Sequence, residues 1–547
     1  MLNFKIALAQ VNPHLGAFAE NAQRILEQVH RAQSQACDLV VFPEATLFGY
    51  HPMDLLERPG VVEAQMKELH RLEKRIPKNI GVFIGAIVPN SKKKGKAYFN
   101  AALFLQGGKK SKVFPKQLLP TYDIFDESRH IEPGLVKDNV FKFKGKKLLV
   151  TICEDIWAWS GPLSPASARY GENPLTQVKS KDVDLVINLS ASPFTDEKLK
   201  MRQFVVKTTA THFKAPMVYV NMVGGQDEMI FDGGSYAVDS KGKILLQCQR
   251  FVEDFRILDL AEGQAQKGNL AHLPKPLVEQ RRQAIVLGLR DFVHKTGFSK
   301  VHLGLSGGID SAVVASLAVE ALGPDNVVAL TLPGPFTDPQ GLQAAHQLAK
   351  NLKMACHEIP IEDTFQVKMT SLERAFGSIP FGLVQENLQA RLRAVLLMAY
   401  SNHQGSLLLN TSNKSELAMG YSTLYGDLCG GLCPIGDLVK GEVLELAHYY
   451  NRDREVIPPF IIQRPPSAEL APGQKDEDSL PPYPQLDRAV EKLVEGYRSP
   501  KGALDQKVLR AMMASEFKRW QAPPILKLSG HSFGRGRRFP IAHKAIY

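Results

Sequence analysis

Short apolar runs alternate with amphipathic stretches through the first half of the chain. FKIALAQ alternates apolar and polar positions and predicts a strand, and NAQRILEQVHRAQSQ spaces its apolar residues as a helix does. CDLVVFPE is a continuous apolar run that ends on a carboxylate, Glu44. NIGVFIGAIV follows as a further strand, then KAYFNAALFLQ and KKSKVFPK as a pair, and then KKLLVTIC, a buried strand ending on Cys153. VDLVINLSAS, APMVYVNMVG and GGSYAVDSKGKILLQC complete the set. Bounded by Gly, Pro and Asn, such runs favour strands. A sandwich with helices outside is the arrangement that buries their apolar faces.

The pattern breaks after Leu260. AEGQAQKGNLAHLPKP has no sustained apolar period and ends in prolines, which marks a linker over 263–276 between domains at 1–262 and 277–547. A second pattern then begins. RRQAIVLGLRDFVHKTG predicts a helix, KVHLGLS a strand, DSAVVASLAVEAL a helix and NVVALTLP a strand, the order of a doubly wound parallel sheet. Ile462–Pro484 is Pro-rich and acidic, and reads as a long loop or a lid.

Composition narrows the class. A chain of 547 residues is too long for one core. The start lacks the charged and apolar regions of a signal peptide, and no run reaches the ~20 apolar residues of a membrane span. The cytoplasm is therefore the expected location, with no membrane partner. Six scattered cysteines do not make a disulfide framework. Cys429 and Cys433, in CGGLC, read as part of a Gly-rich turn before a metal site, since no second ligand pair accompanies them. The net charge of +11 is spread along the chain, apart from Lys92–Lys94 and Arg535–Arg538. That fits an enzyme of anionic substrates better than a nucleic-acid binder.

Gly304–Ser311, GLSGGIDS, follows a strand and opens a helix. Ser306, Gly307 and Gly308 allow backbone N–H groups to turn inward, and the helix N-terminus adds partial positive charge, which makes a phosphate cradle. The GK[ST] ending of a Walker A loop is missing. The stretch instead resembles the SGGxDS loop of the PP-loop ATP pyrophosphatases, which hold the pyrophosphate of ATP and transfer AMP to an oxygen. The resemblance implies ATP contacts at Gly304, Leu305, Ser306, Gly307, Gly308, Ile309, Asp310 and Ser311.

Thr411–Asp427, TSNKSELAMGYSTLYGD, together with ENLQARLR and SEFKRWQAPP, resembles the NAD synthetases. That resemblance implies ATP contact by Thr411 and binding of deamido-NAD by Asn387, Glu416 and Lys518. Magnesium ions could spread the phosphate charge, with Asp310 and Glu416 as the candidate ligands. Asp310 otherwise reads as an N-cap. LPGPFTDPQ, with Gly334 and Asp338, departs from the serine-rich stretch often found in the family, which puts hydroxyl contacts to phosphate there in doubt.

In the first half, Glu44, Lys116 and Cys153 each end or follow a predicted strand. Their surroundings resemble the nitrilase/amidase superfamily, whose triad is Glu, Lys and Cys, and whose fold is an α-β-β-α sandwich. Cysteine must become a thiolate to attack an amide. Glu44 can take its proton and later activate water, and Lys116 supplies a fixed cation near the oxyanion. Glu127 in FDESR is a further polar candidate to support them. By resemblance to glutamine-using members, Tyr122, Ser192 and Lys198 hold the ends of glutamine. Lys198 otherwise reads as a solvated surface lysine.

The two halves together resemble the glutamine-dependent NAD synthetases: a nitrilase-like glutaminase followed by a PP-loop domain that takes ATP, deamido-NAD and ammonia, in a chain expected to form a homo-oligomer. Two other readings compete. One is an amidase joined to a ligase for a different carboxylate, which TSNKSE…YGD argues against. The other is a salt-sensitive nucleic-acid-binding protein, which needs neither Cys153 nor ATP.

Overall fold

The computed structural model describes residues 4–545 except 59, 93, 162–169, 262–269, 271–275 and 544. Most of the expected linker 263–276, and the middle lysine of Lys92–Lys94, lie outside the described residues. The chain divides into two compact units: Met1–Gln226 with Ile230–Pro274, and Asp227–Met229 with Lys275–Tyr547.

The first unit opens with β1 (Lys5–Gln10), α1 (Phe18–Ser34), β2 (Leu39–Val41), α2 (Val61–Arg75), β3 (Gly81–Pro89), β4 (Tyr98–Leu105) and β5 (Lys112–Pro115). It continues with β6 (Val140–Phe143), β7 (Lys146–Ile152), β8 (Leu185–Ser190), α3 (Lys198–Phe213) and β9 (Met217–Asn221). β10 (Val223–Gln226) and β11 (Met229–Asp232) pair as a small ribbon, and β12 (Tyr236–Val238), β13 (Ile244–Gln247) and β14 (Asp254–Asp259) follow. Two six-stranded sheets result, in the orders β14-β1-β2-β3-β4-β5 and β13-β12-β9-β8-β7-β6. β1, β2 and β3 run parallel, as do β7, β8 and β9. β4 and β5, expected from the sequence as a pair, run antiparallel.

Strand alternation assigns the faces. Ile6 and Leu8 point into the layer between the sheets, beside Val150, Ile152, Ile187 and Val220. Ala7 and Ala9 point the other way, under Ile25, Val29, Leu69 and Leu72 of the two outer helices. α3 covers the second sheet through Val205, Val206 and Ala210. The layers are therefore helix, sheet, sheet, helix. Both sheets are apolar on both faces, which is why their strands read as continuous apolar runs.

The second unit contains α4 (Leu277–Lys295), β15 (Val301–Gly304), α5 (Ile309–Leu322), β16 (Val327–Thr331), α6 (Pro339–Leu352), β17 (Ala355–Glu358), α7 (Glu362–Phe376), α8 (Leu383–Gln404), β18 (Leu407–Leu408), α9 (Lys414–Met419) and α10 (Lys440–Tyr450). The sheet order is β17-β16-β15-β18, all parallel. α5 is apolar nearly all round, and Ala312–Ala318 are buried throughout. Ile462–Pro484 is packed chain here: Asp476 and Leu480 are buried, and the carbonyl of Leu470 accepts from Gln389 Nε2 at 2.9 Å. No helix among the described residues is long and apolar enough to cross a membrane.

Candidate active sites

Three strand ends in the first unit bring Glu44, Lys116 and Cys153 together. Glu44 sits on the turn after β2, Lys116 directly after β5 and Cys153 directly after β7. The Glu44 turn lies against Gly85 of β3, where a Cβ would stand 2.0 Å from the Ala45 nitrogen, so only glycine permits this approach. Cys153 adopts φ 40°, a left-handed conformation that costs a non-glycine residue about 1–3 kcal/mol. The sheet after β7 thus turns sharply at the sulfur.

Lys116 Nζ donates to Glu44 Oε1 at 2.8 Å and to Glu127 Oε1 at 2.9 Å, and all three residues are buried. Asn100 Nδ2 donates to the same Glu44 oxygen at 2.7 Å, and the Ala191 N–H to the other at 3.0 Å. Tyr50 donates to Glu127 at 2.6 Å. Burial works against the Lys116 charge, but Glu127 and Glu44 outweigh it and hold the ammonium well above the usual lysine range. Burial also raises the Glu44 carboxyl, against the pull of Lys116. The Cys153 thiol is pushed far up by burial and by Glu44, with Lys116 opposing. At rest the sulfur keeps its proton, and a charged base must remove it during reaction.

Beside the thiol lies a second carboxylate, Glu154, which the sequence reading passed over. Tyr122 and Tyr170 donate to its Oε1 at 3.0 and 2.9 Å. Burial raises its pKa, and Lys198 is the largest opposing charge. Lys198 Nζ also stands 4.2 Å from the centre of the Trp157 ring. Of the three predicted glutamine residues, Tyr122 and Lys198 therefore converge on Glu154. Ser192 is buried elsewhere: its Oγ accepts from Arg202 Nε at 3.1 Å and its N–H donates to Asn221. The signal for Glu154 was its place in the chain, directly after the candidate nucleophile Cys153 in ICEDIW.

The second unit holds a cavity of about 610 Å³ at the C-terminal ends of β15 and β16. Gly304, Leu305, Ser306, Gly308, Ile309, Asp310, Ser311, Thr411 and Glu416 line it. Gly307 is absent from the lining but shapes the loop. Its φ is +77°, and a Cβ there would lie 2.3 Å from the Gly341 carbonyl oxygen. Ser311 Oγ accepts from the Ser306 N–H at 3.3 Å and donates to the Gly308 carbonyl at 3.0 Å, which ties the loop to the first turn of α5.

Asp310 is not an N-cap; Gly308 holds that position. The Asp310 side chain crosses instead to Asn413 Nδ2 at 2.9 Å and Lys440 Nζ at 2.5 Å. Lys440 also donates to Glu416 at 3.1 Å. Glu416 is pushed up to about 7 by burial, with Lys440 opposing and Asp310 and Asp476 reinforcing. Asp476 completes the acidic group, and its carboxylate is buried and accepts from the Tyr483 hydroxyl at 2.8 Å. Carboxylate oxygens of this kind suit a hard divalent cation, and Lys440 already supplies positive charge to the pair. Lys440 was not singled out in the sequence, and Asp476 was marked only as part of the acidic DEDSLPPY stretch within Ile462–Pro484, because each comes from a segment remote from the loop.

Asn387 and Lys518 do not line the cavity. Both are tied to the turn after α9: Asn387 Oδ1 accepts from Thr423 Oγ1 at 2.7 Å, and Lys518 Nζ donates to the carbonyls of Gly420 and Ser422. In the divergent LPGPFTDPQ stretch, Thr337 lines the cavity with its hydroxyl accepting from the Gly334 N–H, and Asp338 caps α6. The CGGLC thiols are free, and neither joins a group of three metal-ligand candidates among the described residues.

A four-layer sandwich with Glu, Lys and Cys at its strand ends defines the nitrilase class, and a parallel sheet with a glycine-rich pyrophosphate loop defines the PP-loop class. The carbon-nitrogen hydrolase family model matches residues 5–267 and the NAD synthase model residues 281–523. The chain is 45% identical to a glutamine-dependent NAD(+) synthetase of Synechocystis over 98% of both chains. It is 37% identical to that of Thermotoga maritima, over 100% of this chain and 99% of the relative. The glutamine-dependent NAD+ synthetase structure from Acinetobacter baumannii, solved with adenosine diphosphate, is 34% identical and superposes with a TM-score of 0.78, covering 99% of this chain and 98% of that one. The chain belongs to the glutamine-dependent NAD(+) synthetase family.

Proposed function

We propose that the first unit hydrolyses glutamine at Cys153 and that the second unit uses the ammonia to convert deamido-NAD to NAD with ATP. The convergence of Glu44, Lys116 and Cys153 on three strand ends carries the reading. Glu44 takes the thiol proton as sulfur attacks the amide carbon, and Lys116 faces the developing oxyanion. Ammonia leaves with the proton, and water activated by Glu44 then releases glutamate from the thioester. The Glu154 carboxylate and the Lys198 ammonium, with Tyr122 beside them, give anchors for the α-amino and α-carboxylate ends of glutamine; Ser192, the third residue that the family resemblance adds, is tied to Arg202 and Asn221.

In the second unit the loop Gly304–Ser311 receives the β- and γ-phosphates, and Thr411 lines the wall of the ATP site. The carboxylate of deamido-NAD, with Asn387, Glu416 and Lys518 as its binding residues, attacks the α-phosphate, and pyrophosphate departs. Ammonia then displaces AMP. Asp310 and Glu416 would hold magnesium, which when bound neutralises phosphate charge. Lys440 donates positive charge to the same place. One chain carries both steps because free ammonia is mostly protonated near neutrality, so NH₃ channelled to its consumer as it is made is used before it is lost. The domains run 1–262 and 277–547 in this reading.

The chain also forms a homo-oligomer in this reading. Val384, Val395 and Met398 make an exposed apolar stripe along α8, with Phe376 and Phe381 beside its start. Light scattering of Val395→Glu against the parent protein tests it, and an unchanged mass removes α8 as the interface.

Incubation with ATP, magnesium, deamido-NAD and either glutamine or ammonium tests the catalytic reading. NAD, AMP and pyrophosphate are expected in equal amounts from both nitrogen sources. ADP and phosphate in their place would overturn the adenylation step.

A further inference from the structure

Away from both sites, Cys356, His346 and Glu358 form a relay on the rim of the second unit. β17 is the edge strand of its sheet, and Cys356 and Glu358 are two residues apart on it, so both side chains leave the same face. α6 lies over that face and contributes His346. Cys356 Sγ is 3.7 Å from His346 Nδ1, and His346 Nε2 is 2.8 Å from Glu358 Oε2. A nucleophile, a base and a carboxylate that orients the base are thus in hydrogen-bond sequence, the geometry that activates a thiol. His346 and Glu358 are each 42% exposed, and Cys356 is half-buried, so small solutes reach the group. Cys37, Cys153, Cys248 and Cys433 are buried. Cys429 is half-buried like Cys356, but has no such imidazole among the described contacts.

We propose that Cys356 is a nucleophilic modification site that reacts with hydroperoxides, His346 serving as its base. The imidazole Nδ1 takes the thiol proton as sulfur attacks the terminal peroxide oxygen. The S–O bond forms and the O–O bond breaks. The departing alkoxide or hydroxide takes the proton back from the imidazolium and leaves as alcohol or water. Sulfur is oxidised by two electrons to sulfenic acid and the peroxide is reduced by two. Glu358 stabilises the imidazolium and fixes its tautomer. Burial and Glu358 both raise the thiol pKa, so the sulfur is activated as it reacts and does not rest as a thiolate.

The test treats the full chain with hydrogen peroxide at neutral pH, traps sulfenic acid with dimedone and maps all six cysteines by mass spectrometry over time. Cys356 is expected to be labelled about tenfold faster than Cys429. His346→Gln should cut the Cys356 rate by about tenfold and leave the Cys429 rate unchanged. Glu358→Gln should fall between. The wild-type comparison needs no variant, and thermal melts confirm that the two variants are folded. A Cys356 rate no faster than that of Cys429, or one indifferent to His346→Gln, overturns the proposal.

Discussion

Lys116 and Glu44 meet at 2.8 Å with both side chains wholly enclosed, and Glu127 binds the same ammonium from the other side at 2.9 Å. Two carboxylates therefore share one cation away from water. Such a group is costly to break, because the remaining partner is left buried and uncompensated. Lys116→Met removes the cation that Glu44 and Glu127 share and should lower stability by about 3–5 kcal/mol. Glu44→Gln leaves Lys116 paired with Glu127 and should cost less. Both should lose glutamine hydrolysis. Denaturant unfolding of the two variants checks the order, and equal stabilities would count against the shared-cation description.

Cys153→Ala removes the nucleophile without touching the second unit. Glutamine-driven NAD formation should fall to background while ammonium-driven formation stays within about twofold of wild type. Rates measured with each nitrogen source separate the outcomes. Loss of both in a folded variant would contradict independent half-reactions.

Gly307→Ala challenges the phosphate loop through its backbone. The new Cβ meets the Gly341 carbonyl oxygen at 2.3 Å, and φ +77° is strained for alanine. A cost of about 1–3 kcal/mol is expected. Ammonium-driven synthesis should drop at least tenfold while glutamate release persists. Unimpaired ATP-dependent synthesis would show that the loop tolerates a side chain and is not the phosphate cradle.

Glu416 gives the stability a pH dependence. Its carboxyl is raised from 4.5 to about 7 in the folded chain, chiefly by burial. Between these values the folded state holds a proton that the unfolded state has lost. The sign therefore runs opposite to that of a salt-bridged acid: this contribution is fully present below about 4.5 and is lost as pH rises through about 7. Over the window it is on the order of 3 kcal/mol, and smaller as far as Lys440 shares the charge. Glu416→Gln should make the fall of unfolding free energy between pH 5 and 7 shallower, while Asp155 and Asp427, raised by burial to about 6, keep part of it. An unchanged slope would show that Glu416 titrates normally.

Most of the strand pattern was legible because the inner strands of both first-unit sheets are buried on both faces, so apolar runs mark them; the edge strand β17 of the second unit is largely exposed and gave no such run. Local motifs were legible for the same reason that they are local. GLSGGIDS carries its own strand, turn and helix, and ICEDIW carries its own sharp turn at Cys153. Glu44, Lys116 and Cys153 were picked out by the resemblance of their surroundings to the nitrilase superfamily; their places at or just after strands allowed them to meet but did not single them out.

Tertiary structure alone decided what those residues face. Glu127 joins Lys116 from 11 residues away, yet Glu44 joins it from 72 and Ala191 reaches Glu44 from 147. Asp310 read as a candidate magnesium ligand with an N-cap as the alternative, and only the fold brings Lys440 of α10 across to it from 130 residues away. Ile462–Pro484 read as a long loop or a lid, and its packing against α8 comes from Gln389, 81 residues from its partner. Periodicity reports which face of an element is buried, because burial follows from the local alternation of apolar and polar side chains. It cannot report which charges share a buried space, because that depends on where the chain returns, and in a low-dielectric interior those partners set whether a carboxylate is a base, a ligand or a counter-ion.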